Sequence, residues 1–136
     1  MILLRKILTV FAGIITIGFG CWHFFVPKLW NWYSYIDKKA IELVLAIRAV
    51  NFFFSLSLVL FGVLNIVFII SKQSNRFSLL TVLSSSVILW LSRCLLQIIF
   101  PQGAINPLLQ YGMLSVFVLV TLCFSFSLFL TVFILK

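Results

Sequence analysis

Four long apolar runs, separated by short polar stretches, leave this chain one solvent in which to fold. They fall at about residues 7–27, 43–70, 77–100 and 107–135. Each reaches the roughly 20 residues that an α-helix needs to cross the hydrocarbon core of a bilayer. Backbone amides in lipid must be satisfied within their own segment, so helices are the expected form. Of the 136 residues 9% are charged, against roughly 25% in an ordinary soluble domain, and the mean hydropathy is +1.29. The expected fold is therefore an all-α integral membrane protein. It is a single four-transmembrane-helix bundle over residues 1–136, with an outer interfacial segment at about 28–42. The second and fourth runs exceed the minimum length, which predicts tilt or protruding ends.

Arg5 and Lys6 ahead of the first run imitate a secretory signal. The run is longer than a signal core, however, and Phe19 stands where a lipoprotein site before Cys21 wants a small residue, so a retained first helix is expected. Ten Lys and Arg against two acids give a formal charge of +8, which in a soluble protein would point to nucleic acid. Here the basic residues stand singly or in pairs between apolar runs. They read as topology signals and headgroup contacts, with membrane lipids as partners and no nucleic acid.

With the N-terminus inside, Arg5, Lys6, Lys72, Arg76 and Lys136 lie on the cytoplasmic side and Lys28, Lys38 and Lys39 on the outer side. That split favours an N-in/C-in bundle in a cell (plasma or inner) membrane. The loop Pro101 to Asn106 carries no charge, as suits a translocated segment. Trp30, Trp32, Tyr33 and Tyr35 are rings with a polar corner that settle at headgroup level, so the 28–42 segment reads as an anchor along the outer interface. Its second reading is a lid over an opening between helices.

The missing residues exclude several activities. Cys21, Cys94 and Cys123 form no CxxC pair and no metal-ligand spacing; they read as buried small apolar residues. The two acids, Asp37 and Glu42, both belong to the outer interface, so the intramembrane carboxylate of a proton-coupled cation exporter is lacking. For a haem only His23 and Met113 remain as axial ligands besides the initiator. There is no Ser-His-Asp set, no Gly-rich phosphate loop and no metal-ligand cluster.

Helical spacing sorts the polar residues onto faces. In the first helix Thr9, Gly13, Thr16, Gly20, His23 and Pro27 recur in steps of four and three, and in the second so do Arg48, Asn51, Ser55, Leu58, Gly62 and Asn65. The third carries Ser86, Trp90, Arg93 and Gln97. The fourth carries Tyr111 and Ser115 near its outer end and Thr121, Ser125 and Thr131 further in. Small residues let backbones approach where lipid supplies no hydrophobic drive, so these stripes are the expected inward faces.

Depth separates the costly groups from this background. Arg48 is about five residues, or roughly 8 Å, inside the outer end of its helix, and Arg93 about seven residues, or roughly 10 Å. His23, Asn51 and Gln97 share that outer half, whereas the inner half holds little beyond Asn65 and hydroxyl groups. Ionisable groups at such depth are functional candidates when they face protein or water. A guanidinium without a local acid is shaped for phosphate or carboxylate. The alternative for both arginines is snorkelling to outer-leaflet phosphates. For His23 the alternatives are a hydrogen-bonded packing residue and a proton-transfer group.

These residues define an expected ligand site of His23, Arg48, Asn51, Arg93 and Gln97, supported by Glu42, Trp90 and Tyr111, with no metal. Its ligand would be amphipathic, with an anionic or carbonyl-bearing head: an anionic lipid, a polyprenyl phosphate or a quinone, the one cofactor within that class. The rival reading is an accessory or assembly subunit whose stripes dock onto a larger membrane protein or onto its own copies. The direction in which Arg48 and Arg93 point discriminates between the two.

The stretch Gly20-Cys-Trp-His23-Phe-Phe-Val-Pro27, followed by an interfacial loop and by Arg48 early in the second helix, resembles the layout of small four-helix membrane proteins of the DoxX-like kind. The resemblance covers the whole chain in length and helix count. It implies a four-helix bundle; proteins resembling DoxX are linked to quinone-coupled sulfur oxidation, to the maturation of redox partners or to no known role, so the resemblance does not fix a function. Arg93 has no counterpart in that pattern.

Overall fold

In the computed structural model, residues 1–37 and 39–134 are described. They form five helices and one 3-10 turn: α1 (Ile2–His23), α2 (Val26–Leu29), the turn Trp32–Tyr35, α3 (Ile41–Ile70), α4 (Arg76–Ile99) and α5 (Pro107–Ile134). Four of the helices are long and apolar enough to cross a membrane, the layout of a multi-pass membrane protein. At 1.5 Å per residue α1, α3, α4 and α5 are about 33, 45, 36 and 42 Å long, so α3 and α5 outreach a hydrocarbon core of about 30 Å. Lys38, Lys136 and the last residue of the expected fourth helix, Leu135, lie outside the described residues.

Local chemistry sets the breaks. Asn75 caps α4 by accepting the Ser78 amide at 2.8 Å, and the Asn106 side chain accepts from Leu108 and Leu109 at 3.1 and 3.4 Å in front of Pro107; both are N-cap arrangements. Asn31 takes a left-handed φ of 51°, which its short side chain tolerates, and this turns the chain from α2 into the 3-10 turn.

The first helix is longer than its apolar run. It starts at Ile2 rather than near residue 7, and this brings Arg5 inside the helix. Arg5 is 5% exposed, so the residue expected to mark the membrane edge is instead packed between helices, while its neighbour Lys6 is exposed.

α1 packs against α3 and α5, and α4 packs against α5. The first helix ends at His23 rather than near residue 27, and its stripe is buried from Thr9 to His23 and on to Pro27 in α2; that on α3 is buried from Asn51 to Asn65. The two helices meet backbone to backbone. A Cβ on Gly62 would stand 2.7 Å from the Gly13 carbonyl oxygen, and one on Gly20 would stand 2.9 Å from the Ser55 carbonyl oxygen. Such approaches give dispersion and close packing in a medium with no hydrophobic drive.

α3 and α4 follow one another in sequence yet touch less than the α1–α3, α4–α5 and α1–α5 pairs do. Between them runs a cleft bridged at mid-length by Asn65, whose Nδ2 donates to Ser86 Oγ at 2.6 Å. Phe61, Leu64, Phe68 and Phe77 border one half and Phe54, Leu58, Trp90 and Leu96 the other.

Two expectations are corrected. The inward face of α5 is Met113, Phe117, Val120, Phe124, Ser127 and Thr131, not the line through Tyr111 and Ser115, both of which are exposed. Bulky apolar side chains fill the space opposite α4, so the α5 hydroxyl groups are displaced except near its end. Cys21 is exposed, unlike Cys94 and Cys123, and all three are free thiols.

The close α1–α3 crossing leads to a stability test. Gly62→Ala is expected to cost about 1–3 kcal/mol through forced backbone separation. Gly18→Ala, where an added Cβ meets nothing within 4 Å, is expected to cost nothing and to gain up to about 1 kcal/mol of helix propensity. Reversible unfolding in mixed micelles followed by circular dichroism distinguishes them; equal behaviour of the two variants would refute the crossing as described.

Candidate functional site

The candidate site lies at the end of the bundle where α1 stops and the aromatic α1–α3 segment begins. His23 is the last residue of α1, 9% exposed, and Asn51 of α3 faces it. Asn51 Oδ1 stands 2.9 Å from His23 Nδ1, while Asn51 Nδ2 donates to the His23 carbonyl oxygen at 3.2 Å. The second bond orients the amide, so Oδ1 faces the ring and Nδ1 must carry the hydrogen. One asparagine thus holds both the imidazole and the last carbonyl of α1.

Nε2 of His23 makes no hydrogen bond among the described residues and is not sealed. The histidine lines a cavity of about 400 Å³ together with Trp32, Leu43, Ala46, Ile47, Val50, Asn51 and Phe54. With Nδ1 protonated, a neutral ring offers Nε2 as an acceptor and a protonated ring offers it as a donor. Trp32 in this wall belongs to the aromatic segment. Val26 and Pro27 are buried, Trp30, Trp32 and Tyr33 are half-buried and Tyr35 is exposed, so part of that segment folds inward as a cover.

Phe54 and His23 meet in a T-shape with ring centroids 4.7 Å apart, and Phe54 also borders a second, smaller cavity of about 120 Å³ on the α4 side. Arg93 lines this one. Its guanidinium lies 4.6 Å above the Phe117 ring, and Nη2 donates to Gln102 Oε1 at 2.6 Å. Both contacts stabilise a cation without neutralising it. Phe19 connects the two sides, with ring centroids 5.7 Å from His23, 5.8 Å from Trp90 and 5.2 Å from Phe117. Trp90 is 1% exposed and donates from Nε1 to Thr16 Oγ at 3.2 Å, fixing the wall behind Phe19.

Of the residues expected at the site, His23 and Asn51 are brought together, and Arg93 stands on the far side of Phe54. Gln97 is buried, but its amide is engaged by the α4–α5 loop, donating to the Gln102 carbonyl oxygen at 2.9 Å and accepting from its amide at 3.4 Å. Arg48 is exposed and stacks over the Tyr33 ring at 5.1 Å, because α1 has already ended at His23 and no helix remains for it to face. Glu42 and Tyr111 are exposed as well. Gln102 was not singled out from sequence, although it orders both Arg93 and Gln97. Its signal was an amide side chain next to Pro101 in an uncharged loop. Among the described residues no group of three His, Cys, Asp or Glu side chains could hold a metal ion.

No protein-family model matches this chain, and neither a curated protein nor a solved structure matches it.

The His23–Asn51 pair makes a spectroscopic prediction. Nitrogen-15 NMR of the single histidine should show the Nδ1-protonated tautomer, and Asn51→Leu should release the ring into a mixture of tautomers at a stability cost of about 1–3 kcal/mol. An unchanged tautomer in the variant would remove Asn51 as the orienting group.

Proposed function

We propose that this protein holds an amphipathic molecule in the membrane, with its polar head on His23 and Arg93 at the aromatic end and its tail along apolar helix faces. The observation that carries the proposal is the orientation of His23: Asn51 occupies Nδ1 and leaves Nε2 unpartnered in a residue that lines a cavity of about 400 Å³. An unpartnered imidazole nitrogen that opens onto an apolar wall offers one polar contact to an occupant, the pattern of a site that fixes a ligand by few polar contacts. A carbonyl, hydroxyl or phosphate head satisfies it, which keeps quinones, polyprenyl phosphates and anionic lipids in one class. Phe54 borders both cavities, so a rotation of that single ring would join the His23 side to the Arg93 side. The α3–α4 cleft, walled by Phe and Leu, accommodates a chain. The resemblance to DoxX-like proteins agrees with a quinone-type occupant through the His23 region, and Arg48 contributes to it only as a sequence position.

Arg48 favours a second reading. Its exposed position on α3, over the Tyr33 ring and outside the lining of the His23 cavity, suits contact with phosphates or with a membrane protein, as in an accessory subunit.

Native mass spectrometry of gently purified protein separates the readings. A small-molecule adduct is expected on the wild type and on Arg48→Leu, with at least tenfold less retained by His23→Leu and by Arg93→Leu. Equal retention in all four proteins would sink the binding proposal, whereas loss of a co-purifying protein from Arg48→Leu alone would favour the subunit reading. The proposed orientation places both termini on the cytoplasmic side. Cysteines introduced at Ala104 should react with an impermeant reagent from outside and those at Ser74 should not; the reverse pattern inverts the topology.

A further inference from the structure

The way Asn51 holds the His23 ring decides which kind of group the free ring nitrogen takes. Asn51 Nδ2 donates to the His23 carbonyl oxygen at 3.2 Å, which turns Oδ1 toward the ring, 2.9 Å from Nδ1. Nδ1 therefore carries the hydrogen, and in a neutral imidazole the lone pair is left on Nε2. Nε2 has no partner among the described residues and is not sealed. Such a lone pair accepts from an O–H or N–H group and repels the oxygen of a carbonyl, a carboxylate or a phosphate.

The surroundings favour the neutral ring. An ordinary imidazole is already mostly neutral at neutral pH, and the described lining of its cavity of about 400 Å³ holds no acid. On α3, Glu42 is exposed and outside that lining, and Arg48 stacks on Tyr33. The segment before α3 brings Lys28, Asp37 and Lys39, all exposed, and the Asp37 carboxylate accepts from the Lys39 amide at 2.9 Å. On α4 stands Arg93, a cation beyond Phe54, and Tyr111 of α5 is exposed. An imidazolium would thus face a cation and no counter-charge, and a cationic amine head would fare no better. Among uncharged lipid heads the common hydrogen-bond donor is a hydroxyl.

We propose that His23 selects an uncharged, hydroxyl-headed amphiphile, such as a long-chain alcohol or an acylglycerol, whose O–H donates to Nε2, over carbonyl, carboxylate and phosphate heads. The inference rests on the reading that this cavity holds an amphipathic molecule, and it narrows that reading to one class of head. Leu43, Ala46 and Val50 in the cavity wall are themselves exposed, so the cavity opens sideways along α3, where an apolar tail finds an apolar surface. Asn51 is a positioning residue here: by occupying Nδ1 it assigns the accepting role to Nε2.

The full chain in phosphatidylcholine nanodiscs provides the test, with hexadecanol, its methyl ether, heptadecanone and hexadecanoate as probes that differ in the head. Native mass spectrometry reads retention, and nitrogen-15 NMR of the single histidine reads the contact. The wild type is expected to retain about tenfold more hexadecanol than methyl ether. Hexadecanol should also move the Nε2 resonance to lower frequency, as for a nitrogen that accepts a hydrogen bond, while Nδ1 stays protonated. His23→Phe, which keeps a ring without the nitrogen, should lose the preference. Asn51→Asp sets a carboxylate on Nδ1, favours the imidazolium and makes Nε2 a donor; it should reverse the order toward hexadecanoate and the ketone, and it serves if His23→Phe does not fold. Equal retention of alcohol and ether by the wild type, a preference for the ketone or hexadecanoate, a hexadecanol preference that survives in His23→Phe, or an unchanged order in Asn51→Asp overturns the hydroxyl assignment and leaves the binding reading standing. Retention of none of the probes, with the Nε2 resonance unmoved, overturns the binding reading and this inference with it.

Discussion

The close approach of α1 and α3 is the contact on which the rest of the structure depends. Gly13, Gly20 and Gly62 remove the side chains that would hold the two backbones apart, and lipid offers no hydrophobic gain to replace that contact. The crossing fixes the register between the helices, and the register in turn sets Asn51 against the end of α1. From this follow the double hydrogen bond to His23, the orientation of its ring and the apolar cavity beside it. A side chain at any of these glycines would act on the candidate site through geometry alone.

Polar groups are distributed according to what each end of the bundle can offer them. At the aromatic end His23, Asn51, Arg93 and Gln97 have partners from neighbouring helices, from Phe117 and from the α4–α5 loop. At the other end Thr9, Ser127 and Thr131 satisfy one another, while Arg5 Nε and Nη1 and the Oδ1 of Asn65 do not find acceptors or donors. A polar group sealed in a low-dielectric surrounding without a partner is costly.

Several features were legible in the residues because they depend on one helix at a time. Steps of three and four along α1 and α3 identified buried lines that the tertiary structure retains from Thr9 to Pro27 and from Asn51 to Asn65. The same rule held on α5 only for Thr131; Phe117 and Phe124 rather than Tyr111 and Ser115 fill the interior towards its other end, because in a helix that is apolar on every side periodicity carries little contrast. Gln102 escaped notice because its role is to bind two residues of another element from a loop, and loops carry no periodicity.

The sequence by itself determined that the chain makes four long apolar helices and which faces of α1 and α3 turn inward, because length and spacing are properties of single segments. Only the tertiary structure decided what became of the two arginines at the margins of those faces. Arg48 continues the buried stripe of α3 but extends past the end of α1, so it stays outside; Arg5 precedes its apolar run yet is buried because α1 starts early and keeps α5 alongside. Burial of a charge depends on whether a second helix reaches that level, and relative helix ends are set by packing rather than by any one segment.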